Sequence, residues 1–233
     1  MGNRFIIICE VSMKKVVALV PARKGSKGIP NKAMAPLFRR PLIEYSLQTA
    51  LRASVHEVWC TTDSDEILHF TSTLGVKGLK RPVELATDTA SIESVIEHFL
   101  NNVECSYIVL IQPTSPLLLP QHINKCLTEF FQNSTKYDSA FSVYSMEKND
   151  ILFWDREVMK PVNYDHLNRG RRQERKDRYV VETGGFYIFS KDIFLKTKCR
   201  IGEKPLLFEV PFWSSFEVDT LEDLKNIEKL IAY

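Results

Sequence analysis

Acidic residues are missing from one stretch of this chain. Between residues 11 and 43 there is no Asp or Glu, against Lys14, Lys15, Arg23, Lys24, Lys27, Lys32, Arg39 and Arg40. The whole chain is nearly balanced, with 31 Lys and Arg against 29 Asp and Glu. The positive charge is therefore local, and it calls for a local anion. Paired cysteines are also missing. The five cysteines (Cys9, Cys60, Cys105, Cys126, Cys199) are scattered, odd in number and never C-x-x-C. That argues against a disulfide framework and for reduced, cytoplasmic thiols. Five histidines without ligand spacing argue against a structural zinc. Long apolar runs are absent too: FIIICEV is too short to span a bilayer and lacks a convincing cleavage site. A pI near 8.2 lies below the value of about 9 that marks a general nucleic-acid-binding domain. There is no internal repeat and no low-complexity linker. The segment MKKVVALVPAR has the form of a natural start, so residues 1–12 are expected to be an upstream extension.

What is present alternates between strand and helix. A length of 233 residues suits one α/β domain with a small insertion and needs no staples. KVVALV reads as a strand buried on both faces. PLIEYSLQTALRA follows as a helix, with Ile43, Leu47, Ala50 and Leu51 on one face and Pro41 in its first turn. EVWCTT is a second strand and SDEILHFTSTLG a helix ended by Gly75. DTASIESVIEHFLNNV carries a stripe of Ile92, Val95, Ile96, Phe99 and Leu100. YIVLIQ and SAFSVYSM are further strands, and GGFYIFS and FEV late ones. DTLEDLKNIEKLI closes as an amphipathic helix through Leu221, Leu224, Ile227 and Leu230 or Ile231. The expected fold is α/β, a mainly parallel central sheet flanked by helices, with ligands bound beyond the carboxyl ends of the strands.

Three polar loops fall at strand ends. The first, LVPARKGSKGIPNK, offers close backbone approach at Gly25 and Gly28 and a cluster of cations suited to phosphate oxygens. Its spacing is neither G-x-x-x-x-G-K-[ST] nor G-x-G-x-x-G, which excludes the standard P-loop and the dinucleotide fingerprint. A solvated basic loop is the bland alternative. In FEVDT, Glu217 and Asp219 share one face of an extended segment, which suits a hard cation, although Asp219 could equally cap the helix that follows. Gln112 can present a donor and an acceptor to a base or a sugar, or QPTSP can be a turn stabilised by Thr114 and Ser115. Asp88 could cap its helix. NRGRRQERKDR has six cations and two acids but lacks the interleaved aromatics of a single-strand platform.

The ordered set LVPARKGSKGIPNK, TTDSDEI, RPVELATDTAS, LIQPTSPL, RRQE, ETGGFYIF and FEVDTLEDL resembles the acylneuraminate cytidylyltransferase family, the CMP-sialic acid synthetases. The likeness runs from about Lys14 to the C-terminus. Related ketodeoxyoctonate cytidylyltransferases carry a different first loop and no QPTSP. The resemblance implies a Rossmann-like nucleotidyltransferase fold, with residues 13–140 and 180–233 forming the nucleotide-binding domain and 141–179 a dimerisation insertion. It implies transfer of CMP from CTP to a 2-keto sugar acid, with Mg²⁺, in a homodimer that binds neither nucleic acid nor membrane. Arg23, Lys32 and Asp219 would be catalytic. Arg23, Gly25, Ser26, Lys27, Lys32, Leu85, Ala86, Asp88 and Ser91 would hold the nucleotide. Gln112, Thr114, Ser115, Arg172, Gln173, Glu182, Thr183 and Phe186 would meet the sugar, Arg172 and Gln173 by reaching a neighbouring site. Asp219 and Glu217 would hold the metal.

The chain also departs from the family pattern. Glu217 stands where an aspartate is usual, Ala33 where Asn is common, Leu118 where Arg often follows QPTSPL, and Thr183 in place of the Asn of ENG. The last three leave legionaminic, pseudaminic or another nonulosonic acid as suitable as N-acetylneuraminate. The alternatives are ketodeoxyoctonate or another sugar, a degenerate nucleotide-binding homologue, and a nucleic-acid-binding domain.

Overall fold

The computed structural model describes residues 14–26, 28–145, 152–171 and 179–231. β1 (Val16–Pro21) is buried along its whole length. Its side chains alternate between two cores: Val16, Ala18 and Val20 enter one, Val17 and Leu19 the other. A strand covered on both faces must be apolar throughout, and this one is. β2 (Pro36–Leu37) and β3 (Arg40–Pro41) form a small antiparallel pair. β4 (Glu57–Thr62), β5 (Lys77–Lys80), β6 (Tyr107–Ile111), β7 (Ser139–Ser145), β10 (Val180–Ser190) and β11 (Pro205–Glu209) complete the main sheet with β1. β8 (Trp154–Asp155) and β9 (Lys160–Pro161) pair separately. The seven-stranded order is β11-β7-β10-β6-β1-β4-β5. All neighbours run parallel except β10, which is antiparallel to both β6 and β7.

Helices cover both faces. α1 (Leu42–Leu51), α2 (Asp65–Thr73) and α4 (Pro120–Gln132) pack on one side through Ile43, Leu47, Ile67, Ile123 and Phe130. α3 (Ile92–Asn102) and α5 (Lys191–Thr197) pack on the other through Ile96, Phe99 and Phe194. α6 (Leu221–Ile231) buries Ile227 in a third cluster with Ile29, Leu37, Leu42 and Val218. That cluster fastens the C-terminal helix to the loop after β1. Of the two stripes open to α6, the one ending in Ile231 packs, while Leu230 is exposed. Leu51 likewise faces outward from α1.

Two expectations need correction. FEV is not a strand: residues 216–218 run extended outside the sheet, and the edge strand is β11. The Val218 amide instead donates to the Thr114 carbonyl at 2.8 Å. α4 has no counterpart among the expected helices, although Ile123, Cys126, Leu127 and Phe130 are buried at helical spacing. The sheet includes residues 141–145 of the expected insertion, and β8 and β9 lie farther along it. Among the described residues no helix is long and apolar enough to cross a membrane.

Candidate active site

β4 lies on one side of β1 and β6 on the other. The chain direction across the sheet reverses there, and the carboxyl ends open into a crevice. A cleft of about 270 Å³ occupies it, floored by Pro21, Ala22, Arg81 and Gln112. The acid-free first loop forms one wall, and the acids that answer it come from three distant segments. The Lys24 amide donates to Asp63 Oδ1 at 2.9 Å, just past β4. Arg23 Nη1 lies 2.7 Å from Asp88 Oδ1 and donates to the Ala86 carbonyl at 3.4 Å. Asn31 turns the chain with φ 50 into a short 3-10 helix, Lys32–Met34. From there Lys32 Nζ reaches Asp219 Oδ1 at 2.8 Å and the Val218 carbonyl at 3.0 Å. Gly28 allows this approach, because a Cβ on it would stand 2.2 Å from the Asp219 carbonyl oxygen.

Both open helix-cap alternatives are thereby answered. Ser91 caps α3, accepting from the Ser94 amide at 3.1 Å, and Asp88 pairs with Arg23 instead of capping it. Thr220 and Asp223 cap α6 reciprocally: the Asp223 amide donates to Thr220 Oγ1, and the Thr220 amide donates to Asp223 Oδ2. Asp219 is free of that duty, and its carboxylate stands well exposed.

The opposite wall is the 83–91 segment. Leu85, Thr87, Asp88, Ala90 and Ser91 line the cleft. Arg81, at the end of β5, is buried at 5% exposure. Its Nε has no hydrogen-bond partner among the described residues. Burial lowers its pKa, partly offset by the Asp63 charge. A buried guanidinium with a spare donor, beside a cleft, is costly unless a ligand acceptor completes it.

Gln112 and Thr114 close the cleft from β6. Behind them Ser115 is buried and donates to Glu217 Oε1 at 3.2 Å. Burial raises the Glu217 pKa, the Asp219 charge adds to the effect, and the Ser115 hydrogen bond opposes it. Glu217, Glu182 and Thr183 line a neighbouring cleft of about 540 Å³. A bulge between Glu182 and Tyr187 shapes its edge. Thr183 Oγ1 and Ser142 Oγ hydrogen-bond at 2.6 Å, and Gly184 turns with φ +71 beneath the Glu217 carboxylate.

Arg23, Gly25, Ser26, Lys32, Leu85, Asp88, Ser91, Gln112 and Thr114 all line one cleft. Ala86 joins through its carbonyl. Glu182 and Thr183 line the neighbouring cleft, while Ser115 and Phe186 lie deeper. Phe186 is fully buried in the core, Ser115 faces Glu217, Thr183 pairs with Ser142, and the Glu182 carboxylate accepts from Tyr187 Oη. Lys27, Arg172 and Gln173 lie outside the described residues. Arg81 and Asp63 are missing from the expectations, although Arg81 opens RPVELATDTAS and Asp63 lies in TTDSDEI. Two of the departing residues, Ala33 and Leu118, are buried apolar positions, and Ala33 also lines the cleft.

The cytidylyltransferase family profile matches residues 17–232. An N-acylneuraminate cytidylyltransferase from Escherichia coli O18:K1:H7 is 30% identical over 230 residues, covering 94% of this chain and 55% of the relative. The chain thus spans about half the length of that relative. A pseudaminic acid cytidylyltransferase from Campylobacter jejuni is 25% identical over 218 residues, covering 91% of this chain and 94% of the relative. The solved structure of CMP:2-keto-3-deoxy-manno-octonic acid synthetase complexed with CTP superposes with a TM-score of 0.72 at 18% identity. It covers 94% of this chain and 98% of that one, and shows the shared fold. From this match over nearly the whole sheet and its cleft, the chain belongs to the cytidylyltransferase family.

Proposed function

We propose that the chain is an Mg²⁺-dependent nucleotidyltransferase that moves CMP from CTP to the anomeric hydroxyl of an N-acylneuraminate or related nonulosonic acid. The observation that carries this reading is the convergence on one cleft of Arg23, Lys32 and buried Arg81. Two cations face the mouth, where a triphosphate would lie. One buried donor faces the floor, where a base would lie. Cytosine presents adjacent acceptors, its exocyclic O2 and its ring N3, whereas uracil carries a proton at N3. The Arg81 guanidinium therefore favours cytosine.

In the reaction the sugar hydroxyl oxygen bonds to the α-phosphorus, the bond to the β-phosphate bridge breaks, pyrophosphate leaves, and the hydroxyl proton passes to solvent. Arg23 donates to the α-phosphate oxygens as charge develops there. Lys32, at the rim, neutralises the leaving pyrophosphate. Gln112 and Thr114 orient the sugar against the cleft.

Among the described residues no group of three or more His, Cys, Asp or Glu is placed to hold a metal ion. Mg²⁺ commonly needs only one or two carboxylates, with waters and phosphate oxygens completing its shell. Asp219 and Glu217 fit that demand, since the Asp219 charge adds to burial in raising the Glu217 pKa and a cation beside them would relieve it. Asp219 would hold the ion with Glu217 behind it, and when bound the ion supplies charge neutralisation to the triphosphate.

A homodimer is part of the proposal. Phe153, Trp154, Val158, Met159, Val162 and Leu167 all stand exposed around β8 and β9, an apolar surface suited to a second copy. Arg172 and Gln173, which would meet the sugar of a neighbouring site, lie outside the described residues. Unpaired Cys60, Cys105 and Cys126, all buried, suit a reducing cytoplasm.

Nucleotide selection tests the reading. Calorimetric titration with CTP, UTP, ATP and GTP in Mg²⁺ should show CTP binding at least about tenfold tighter than UTP, because a base lacking the paired acceptors leaves Arg81 unsatisfied. Equal affinity for all four would reject cytosine recognition.

A further inference from the structure

Arg23 is held by two groups of the opposite wall, the Asp88 carboxylate at 2.7 Å and the Ala86 carbonyl at 3.4 Å. Both contacts fall on Nη1, so Asp88 occupies one of the guanidinium edges that a phosphate would use. The pair is not buried: the Arg23 side chain is 32% exposed and that of Asp88 41%. It forms the partition between the main cleft and a shallower groove, and both are lined by Arg23, Gly25, Ser26, Thr87 and Asp88. Asp88 is not spent on capping, since Ser91 caps α3.

We propose that Asp88 is a displaceable counter-anion, a positioning residue that competes with polyphosphate for Arg23. This inference rests on the cytidylyltransferase reading. A carboxylate and a phosphate cannot both take the same guanidinium edge without repulsion, and a solvent-reachable ion pair is weak enough to exchange. Asp88 therefore weakens the grip on CTP and, after transfer, returns to Arg23 and helps expel pyrophosphate. Its carboxylate does not read the base. Lys32 and Asp219 show the same pairing of a loop cation with a distant acid at the other end of the cleft.

The test is calorimetric titration of wild type, Asp88→Asn and Asp88→Glu with CTP and, separately, with inorganic tripolyphosphate, which has no base. Asp88→Asn should tighten both ligands by about 3- to 10-fold, the range of one exposed ion pair removed together with its repulsion. Asp88→Glu, which keeps the anion, should remain within about twofold of wild type. In turnover, Asp88→Asn should lower both the KM for CTP and kcat, and strengthen product inhibition by pyrophosphate. Unchanged or weaker tripolyphosphate binding in Asp88→Asn overturns the proposal. So does weaker CTP binding with tripolyphosphate unaffected, which would make Asp88 a nucleoside contact. Failure of the wild type to bind CTP overturns the cytidylyltransferase reading itself and removes the ground for this one.

Discussion

Lys32 Nζ and Asp219 Oδ1 lie 2.8 Å apart across 187 residues of chain. The contact closes a circuit between the first loop of the fold and the start of its last helix. It exists because Ile29 and Leu37 pack with Val218 and Ile227 in one apolar cluster. The loop carries no acid of its own, and its partners arrive from the ends of other elements: Asp63 after β4, Asp88 before α3, and Asp219 before α6.

Asp219→Asn should separate chemistry from stability. Thr220 and Asp223 cap α6 without Asp219. The ion pair with Lys32, open to solvent on the Asp219 side, contributes under about 1 kcal/mol. The melting temperature should therefore hardly move, while Mg²⁺-dependent turnover falls on the order of 10²–10³-fold, as when one preorganised charge contact is lost. Full activity with a lowered melting temperature would make Asp219 structural.

Gly28→Ala tests the close approach. The added Cβ would meet backbone, the Asp219 carbonyl oxygen at 2.2 Å, and backbone cannot swing aside as a side chain can. The loop must shift and lose its register with Lys32 and Asp219. Overpacking of this kind costs roughly 1–3 kcal/mol. Urea unfolding should show that loss, together with a fall in turnover of at least about tenfold.

Arg81→Met should trade function for stability. The side chain is buried and its Nε lacks a partner among the described residues, so the fold bears its desolvation. Replacing a buried charge by an apolar chain of similar length is often neutral or stabilising by about 1–4 kcal/mol. Differential scanning calorimetry should show an equal or higher melting temperature, while CTP affinity falls at least about tenfold.

Glu57 offers a pH test away from the cleft. Trp59 Nε1 donates to it at 2.8 Å, and Lys77 and Lys15 approach at 2.9 and 3.0 Å. Together they hold its pKa down at about 2, from an ordinary 4.5. A carboxylate depressed on folding adds stability that is fully present above pH 4.5 and lost as the pH falls to about 2. Glu57→Gln should be less stable than wild type at pH 7, by under about 1 kcal/mol for so exposed a cluster. The difference should shrink below pH 4.5 and vanish near pH 2, as followed by denaturant unfolding.

The elements most legible in the sequence are those whose burial is written in periodicity. VVALV must be covered on both faces, and it is. The stripe of α3 enters its core at Val95, Ile96, Phe99 and Leu100. β5, with the sequence KGLK, has no apolar signature, because it is an edge strand held by pairing with β4. FEV occurs twice in the chain, and local propensity does not distinguish the copy that begins within β11 from the copy beside Thr114. The cations of the first loop are legible as a group, but the acids that pair with them are set by tertiary packing. Arg81 is hidden for a related reason: a charge followed by Pro82 reads as surface, yet the Arg81 amide donates to the Thr62 carbonyl and the side chain turns inward.

Product formation tests the central claim most directly. CTP, Mg²⁺ and each of N-acetylneuraminate, legionaminate, pseudaminate and ketodeoxyoctonate are supplied in turn, with pyrophosphate release measured and the sugar product weighed by mass spectrometry. The account predicts stoichiometric pyrophosphate and a CMP-sugar with one of the nonulosonic acids, and neither without CTP. Pyrophosphate release with no sugar adduct, or silence across the panel without CTP binding, would contradict it.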